Sequence, residues 1–186
     1  PAWTHVFSFC CISGFLLLVR KLGDGEHIRW LLPTGMVFAL ILLIRPVNAT
    51  LLLAVPIVLG KDTWPTLTRL IEAKGTLLFA LLLGFAVLFI QPLWWHAQTG
   101  NWFEWGYRGE GFHWGRPEVF KVLFGFRRGL FLWTPFFLLA LISALLLWKR
   151  DRVRSLSALA YWIINVYIIS SWWIWFSDGY PGVKET

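Results

Sequence analysis

The side chains able to do chemistry gather in one segment, residues 91–135, between two strongly apolar runs. Within it, residues 101–116 carry Glu104, Tyr107, Arg108, Glu110, His113, Trp114 and Arg116, and Arg127-Arg128 follow. Carboxylates and guanidinium groups set among Trp, Tyr and Phe rings suit a sugar or a phosphate. The rings offer apolar faces, and an arginine fork matches phosphate oxygens in geometry and charge. Gly106, Gly109, Gly111 and Gly115 recur here and permit close backbone approach. The same residues would equally make an ordered loop that caps a helical bundle. Arg127 and Arg128 read either as anchors among lipid head groups or as a grip on the phosphate of a lipid carrier. Arg45 stands apart, inside an apolar stretch. It is either a surface anchor that snorkels to water or a functional residue at membrane depth. The sequence contains no Gly-rich phosphate loop, no zinc helix motif and no defensible Ser-His-Asp ordering, and no metal or cofactor is expected.

The elements that must position these residues are helices in lipid. The chain is 58% hydrophobic and 15% charged. A soluble domain carries about a quarter of its residues as charges, so the missing charge points to a bilayer as solvent. Fourteen Trp and sixteen Phe agree, since aromatic rings collect at membrane interfaces. The net charge of +7 lies in short clusters between apolar runs. That pattern suits anionic head groups and cytoplasmic loop anchoring rather than nucleic acid. Cys10 and Cys11 are adjacent within an apolar run and read as small packing residues. No removable signal peptide is evident, and the sequence begins at Pro1 without an initiator Met.

Apolar runs predict an all-α, polytopic transmembrane bundle forming one membrane domain, with spans at about 3–19, 30–44, 47–59, 75–95, 129–148 and 156–176. Arg45-Pro46 divides the second run from the third, because proline removes a backbone donor and clashes with the turn before it. A re-entrant arrangement is the alternative there. Pro56 and Pro135 predict kinks, and 61–74 reads as a polar connection. Residues 117–128 predict a short amphipathic helix in the interface plane, with Phe120, Leu123 and Phe124 on its apolar side. The basic run 149–154 predicts a cytoplasmic loop. Alternation then puts 20–29 and 61–74 on the same side, and Arg45, the long loop 96–128 and the C-terminal tail outside. The inside then holds ten of the 17 Lys and Arg.

These residues suggest a family. Arg45-Pro46-Val47-Asn48 after an apolar span resembles a turn in bacterial membrane proteins of the C-type glycosyltransferase superfamily, similar to dolichyl-phosphate-mannose protein mannosyltransferases. Trp95, Gly100-Asn101-Trp102, Tyr107, Glu110-Gly111-Phe112, Trp114, Pro117, Leu123-Phe124, Gly129-Leu130-Phe131 and Pro135 resemble a loop of that group. His5-Val6-Phe7-Ser8-Phe9 is similar to its entry into a mid-chain span, so the likeness covers roughly residues 5–176. The resemblance implies a many-helix bundle whose active site faces the exterior, in a bacterial inner membrane. Its donor would be a sugar on a polyprenyl phosphate. The family's catalytic carboxylate lies in a first exterior loop with no counterpart here. The resemblance therefore implies a fragment from the middle and later part of a longer enzyme, and no catalytic residue is carried over. Arg108, Arg116, Arg127 and Arg128 are the candidates for the donor phosphate.

Two other classes fit the composition. A transporter or channel subunit would carry polar groups along a central path and repeated halves. Residues 77–90 and 136–147 carry almost no polar groups, and no internal repeat is visible. A non-catalytic membrane scaffold would present a helix face to a partner.

Overall fold

A computed structural model describes residues 3–25, 27–104, 111–127 and 129–173. Among the described residues the fold is helical, with one isolated antiparallel bridge between Phe112 and Trp172. Helix α1, Trp3–Gly23, ends where Gly25 takes a left-handed backbone. Arg20 and Lys21 in its last turn complement the partial negative charge there. A short 3-10 turn, Ile28–Trp30, leads into α2, Leu31–Ile44. Helix α2 stops at Arg45 because the residue before a proline is driven to extended backbone, and Arg45 has φ −153° and ψ 113°.

The chain turns at Arg45 and runs back as a 3-10 helix, Pro46–Ala54, followed by α3, Val55–Leu59. At about 2.0 Å per residue a 3-10 helix is longer than an α-helix of equal residue count. The 46–59 segment therefore covers about 25 Å, against about 21 Å if wholly α-helical. It lies beside the last helix, running opposite to it: Thr50 Oγ1 donates to Asn165 Oδ1 at 3.3 Å, and Gly60 abuts the Arg154 guanidinium.

Residues 61–74, expected as a polar connection, contain a helix instead: α4, Thr63–Glu72. One residue, Ala73, separates it from α5, Lys74–Thr99. Helix α5 continues through Pro92 and closes at Gly100, whose left-handed backbone lets its N–H donate to His96 O at 2.9 Å. The short helix expected over 117–128 is α6, Val119–Phe124, ended by extended backbone at Gly125. The run 129–148 is broken. Helix α7, Leu130–Trp133, and α8, Phe136–Leu146, flank Thr134, which the following Pro135 holds out of helical backbone. A tight turn leads to α9, Arg152–Ser171, where the Asp151 carboxylate accepts from Arg154 N–H at 3.1 Å as N-cap.

Helices α1, α5 and α9 are long and apolar enough to cross a membrane, while the stretches Ile28–Ile44 and Phe136–Lys149 are apolar but shorter. Helices α1 and α2 are antiparallel around Phe15, Val19 and Ile41, joined by Leu51, Ala54 and Leu59 from the returning segment. Cys11 packs against this cluster, and both cysteines are free thiols. Helices α2 and α5 run parallel and meet at small residues. A Cβ on Gly35 would lie 3.3 Å from Ala80 O, and Gly84 faces Gly35 O and Ala39. Gly35 and Ala39, like Ala80 and Gly84, stand four apart, the small-xxx-small spacing that lets apolar helices approach closely without large side chains between them. Buried polar side chains include Thr34, Ser155, Ser170 and Ser171, whereas Leu82 and Phe85 of α5 and Leu139 and Leu146 of α8 are exposed.

These directions collect the connections at two opposite ends. One end holds the end of α1, the start of α2, α4, the start of α5 and the α8–α9 turn. The other holds the start of α1, Arg45, the end of α5, and the segment that packs on the end of α9.

Candidate functional site

The last four carbonyls of an α-helix have no partner within the helix. At the end of α9 the segment 111–118 supplies some of those partners. His113 N–H donates to Ser171 O at 2.6 Å, and Glu118 N–H donates to Ser170 O at 2.9 Å. Trp173 N–H returns a bond to Gly111 O at 3.1 Å, which makes the Phe112–Trp172 bridge. Both serines are buried and both hydroxyls donate to Tyr167 O, at 3.0 Å for Ser170 and 2.7 Å for Ser171. Small side chains tied back to their own helix leave room for a second backbone. The Tyr167 hydroxyl completes the clamp by donating to Trp114 O at 2.8 Å.

Rings then lock the clamp. Phe112 stacks on Trp114 with centroids 4.5 Å apart and 13° between planes, and meets the Trp172 edge at 4.8 Å. Trp114 also lies over Tyr167 at 5.7 Å. With the backbone engaged by α9, His113, Trp114 and Arg116 remain exposed on the outer side. A turn closed by Arg116 N–H on His113 O, at 2.9 Å, holds these two residues near one another. A shallow hollow of ≈ 360 Å³ continues from Arg116 past Glu118 and Phe120 to Lys121, where Glu118 and Lys121 form an exposed ion pair.

The other expected site residues are placed less centrally. Arg45 is exposed at the α2 turn, with Nη2 3.4 Å from His5 Nε2 on α1. Glu104 is half-buried just beyond α5, and Arg127 is exposed after α6. Tyr107, Arg108, Glu110 and Arg128 lie outside the described residues. The structure thus brings His113, Trp114 and Arg116 together on one loop, and ties Arg45 to α1. The expected apolar side of the short helix faces outward: Phe120 and Phe124 are exposed and Leu123 is half-buried, whereas Val122, on another side, is buried. Phe120 and Phe124 pack at 5.2 Å, and Phe124 meets Phe131 at 5.4 Å.

Tyr167, Ser170 and Ser171 hold the loop in place, yet in the sequence they look like ordinary residues of an apolar span. The pairing of two small hydroxyl residues next to the Trp172-Trp173 run is the signal available. His96 also has a structural role: its ring stacks on Trp102 at 4.2 Å, and Nδ1 lies 3.0 Å from Gly100 O, folding the start of the long loop onto α5. Among the described residues no group of three or more His, Cys, Asp or Glu could hold a metal ion. The docked loop presents an exposed guanidinium beside Trp114, whose ring already stacks on Phe112 and Tyr167, and a guanidinium fork can bind a phosphate oxygen pair. Comparison with protein-family models, with curated proteins and with solved structures finds no match.

Proposed function

We propose that the chain is a polytopic helical bundle of a bacterial inner membrane and that the face formed by residues 111–121 binds a polyprenyl-phosphate-linked sugar. The observation that supports this most is the rigid attachment of the aromatic and cationic loop to α9. Its backbone is fixed by bonds to Ser170 and Ser171, while Trp114 and Arg116 stay exposed. A preordered loop loses little freedom when ligand arrives. In the glycosyl transfer suggested by the family likeness, the sugar leaves its phosphate, and a cation stabilises the charge that develops on the departing group. Arg116 is the described residue suited to that role, with Arg127 nearby in sequence. A carboxylate must take the acceptor proton as general base, and no carboxylate of this chain is assigned to it.

The experiment is binding of a short polyprenyl-phosphate hexose to the protein in detergent micelles, with and without Arg116→Ala and Trp114→Ala. A hydrogen bond to a charged group is worth about 1.5–3 kcal/mol. Loss of the guanidinium should therefore weaken binding by roughly 10- to 100-fold. Carrier binding that is absent from the unsubstituted protein, or unchanged in both variants, would remove this reading.

A further inference from the structure

We infer that α4 is an interfacial helix seated among anionic phospholipid head groups, with Trp64, Leu67 and Ile71 dipping into the acyl boundary. The inference rests on the membrane placement proposed above but not on any sugar chemistry.

Three observations carry it. First, both ends of α4 are tied to helix ends at one face of the bundle. Gly60, just before it, abuts Arg154 in the first turn of α9. Near its other end, Arg69 Nη2 donates to Leu22 O at 3.0 Å in the last turn of α1, and α5 begins at Lys74. A helix bridging the beginnings of two spans and the end of a third must run along that face. Second, α4 has two distinct sides. Thr66 is buried, Leu70 packs on the Leu22–Leu31–Ala80 cluster, and Arg69 Nη2 also donates to Thr66 Oγ1 at 3.2 Å. Trp64, Leu67 and Ile71, at i, i+3 and i+7, form a separate stripe that is 67%, 43% and 55% exposed. Third, the charge at this end is complementary to anionic lipid. Among the described residues it carries ten Lys and Arg against four Asp and Glu. Arg20, Lys21, Lys61, Lys74, Lys149 and Arg152 are all exposed there. An apolar stripe rimmed by cations is the pattern of a helix lying in the head-group layer.

The test uses the full chain in lipid vesicles, with Cys10 and Cys11 replaced by Ala. Single spin labels are introduced through Leu67→Cys, Ile71→Cys, Glu72→Cys and Leu82→Cys. Accessibility to oxygen, which concentrates in lipid, is compared with accessibility to a water-soluble nickel chelate. Labels at 67 and 71 should favour oxygen and the label at 72 should favour nickel. Addition of phosphatidylglycerol to phosphatidylcholine vesicles should move 67 and 71 deeper. The Leu82→Cys label, midway along α5, reports membrane insertion itself. Nickel-dominated signals at 67 and 71 with an oxygen-dominated signal at 82 would overturn the inference and leave the membrane placement standing. They would indicate a stripe left for a protein partner. A nickel-dominated signal at 82 would overturn both. Equal depth at 67 with and without phosphatidylglycerol would overturn the assignment to anionic head groups.

Discussion

At Ser171 two backbones come within hydrogen-bond reach of each other, and a larger side chain there would hold them apart. Its carbonyl accepts from His113 N–H, and its hydroxyl is turned back onto Tyr167 O. Tyr167 acts on the loop from the other side, through a 2.8 Å bond to Trp114 O. A neutral hydrogen bond of this kind contributes about 1 kcal/mol net. Tyr167→Phe should therefore loosen the clamp without unfolding the bundle. Amide exchange at His113 and Trp173 should quicken several-fold, while that of α1 and α2 stays unchanged. Uniform quickening across the molecule would mean that Tyr167 supports the whole bundle rather than the loop.

The identities of His113, Trp114 and Arg116 as candidate binding groups were legible from residue type. Their attachment to Ser170 and Ser171 was not, because backbone pairing between a loop and a helix end leaves no side-chain pattern to read. Arg45 was legible as a turn residue from Pro46, and its extended backbone follows directly from that proline. Its approach to His5 depends on how α1 and α2 pair, which spacing along the chain does not specify.

Among the elements, the α2–α5 contact depends most on side-chain size. A Cβ at Gly84 would sit 3.7 Å from Gly35 O, ordinary van der Waals contact. Gly84→Ala should therefore be tolerated, or gain slightly from reduced freedom of the unfolded chain. Gly84→Leu must push the helices apart, and overpacking of this kind costs about 1–3 kcal/mol. Equilibrium unfolding in mixed micelles checks the pair of variants. Equal stability of Gly84→Leu and the unsubstituted protein would show that the two helices do not pack through these residues.

The long apolar helices were readable from hydropathy, and Pro135 announced the break at Thr134. Helix α4 is hidden in the sequence because Lys61, Asp62, Arg69, Glu72 and Lys74 give its segment the composition of a polar link. The spacing of Trp64, Leu67 and Ile71 already held the helical period. The 3-10 stretch Pro46–Ala54 lies in what the sequence presents as an ordinary span. Composition does not separate the two kinds of helix, and runs of 3-10 this long are uncommon.

For the whole molecule, large apolar side chains face outward along α5 and α8 as well as filling the core, and serine and threonine also occupy buried positions. Connections sort to two ends, with the Lys- and Arg-rich loops beside α4 and the aromatic loop beside the end of α9. If α1, α5 and α9 cross a bilayer, those ends lie on opposite sides of it. The direct measurement is sided labelling in intact expressing cells, with Cys10 and Cys11 replaced and a single cysteine introduced through His113→Cys or Arg150→Cys. A membrane-impermeant maleimide should modify position 113 from outside, and position 150 only after the cells are opened. Modification of both positions in intact cells would contradict a bundle that spans the membrane.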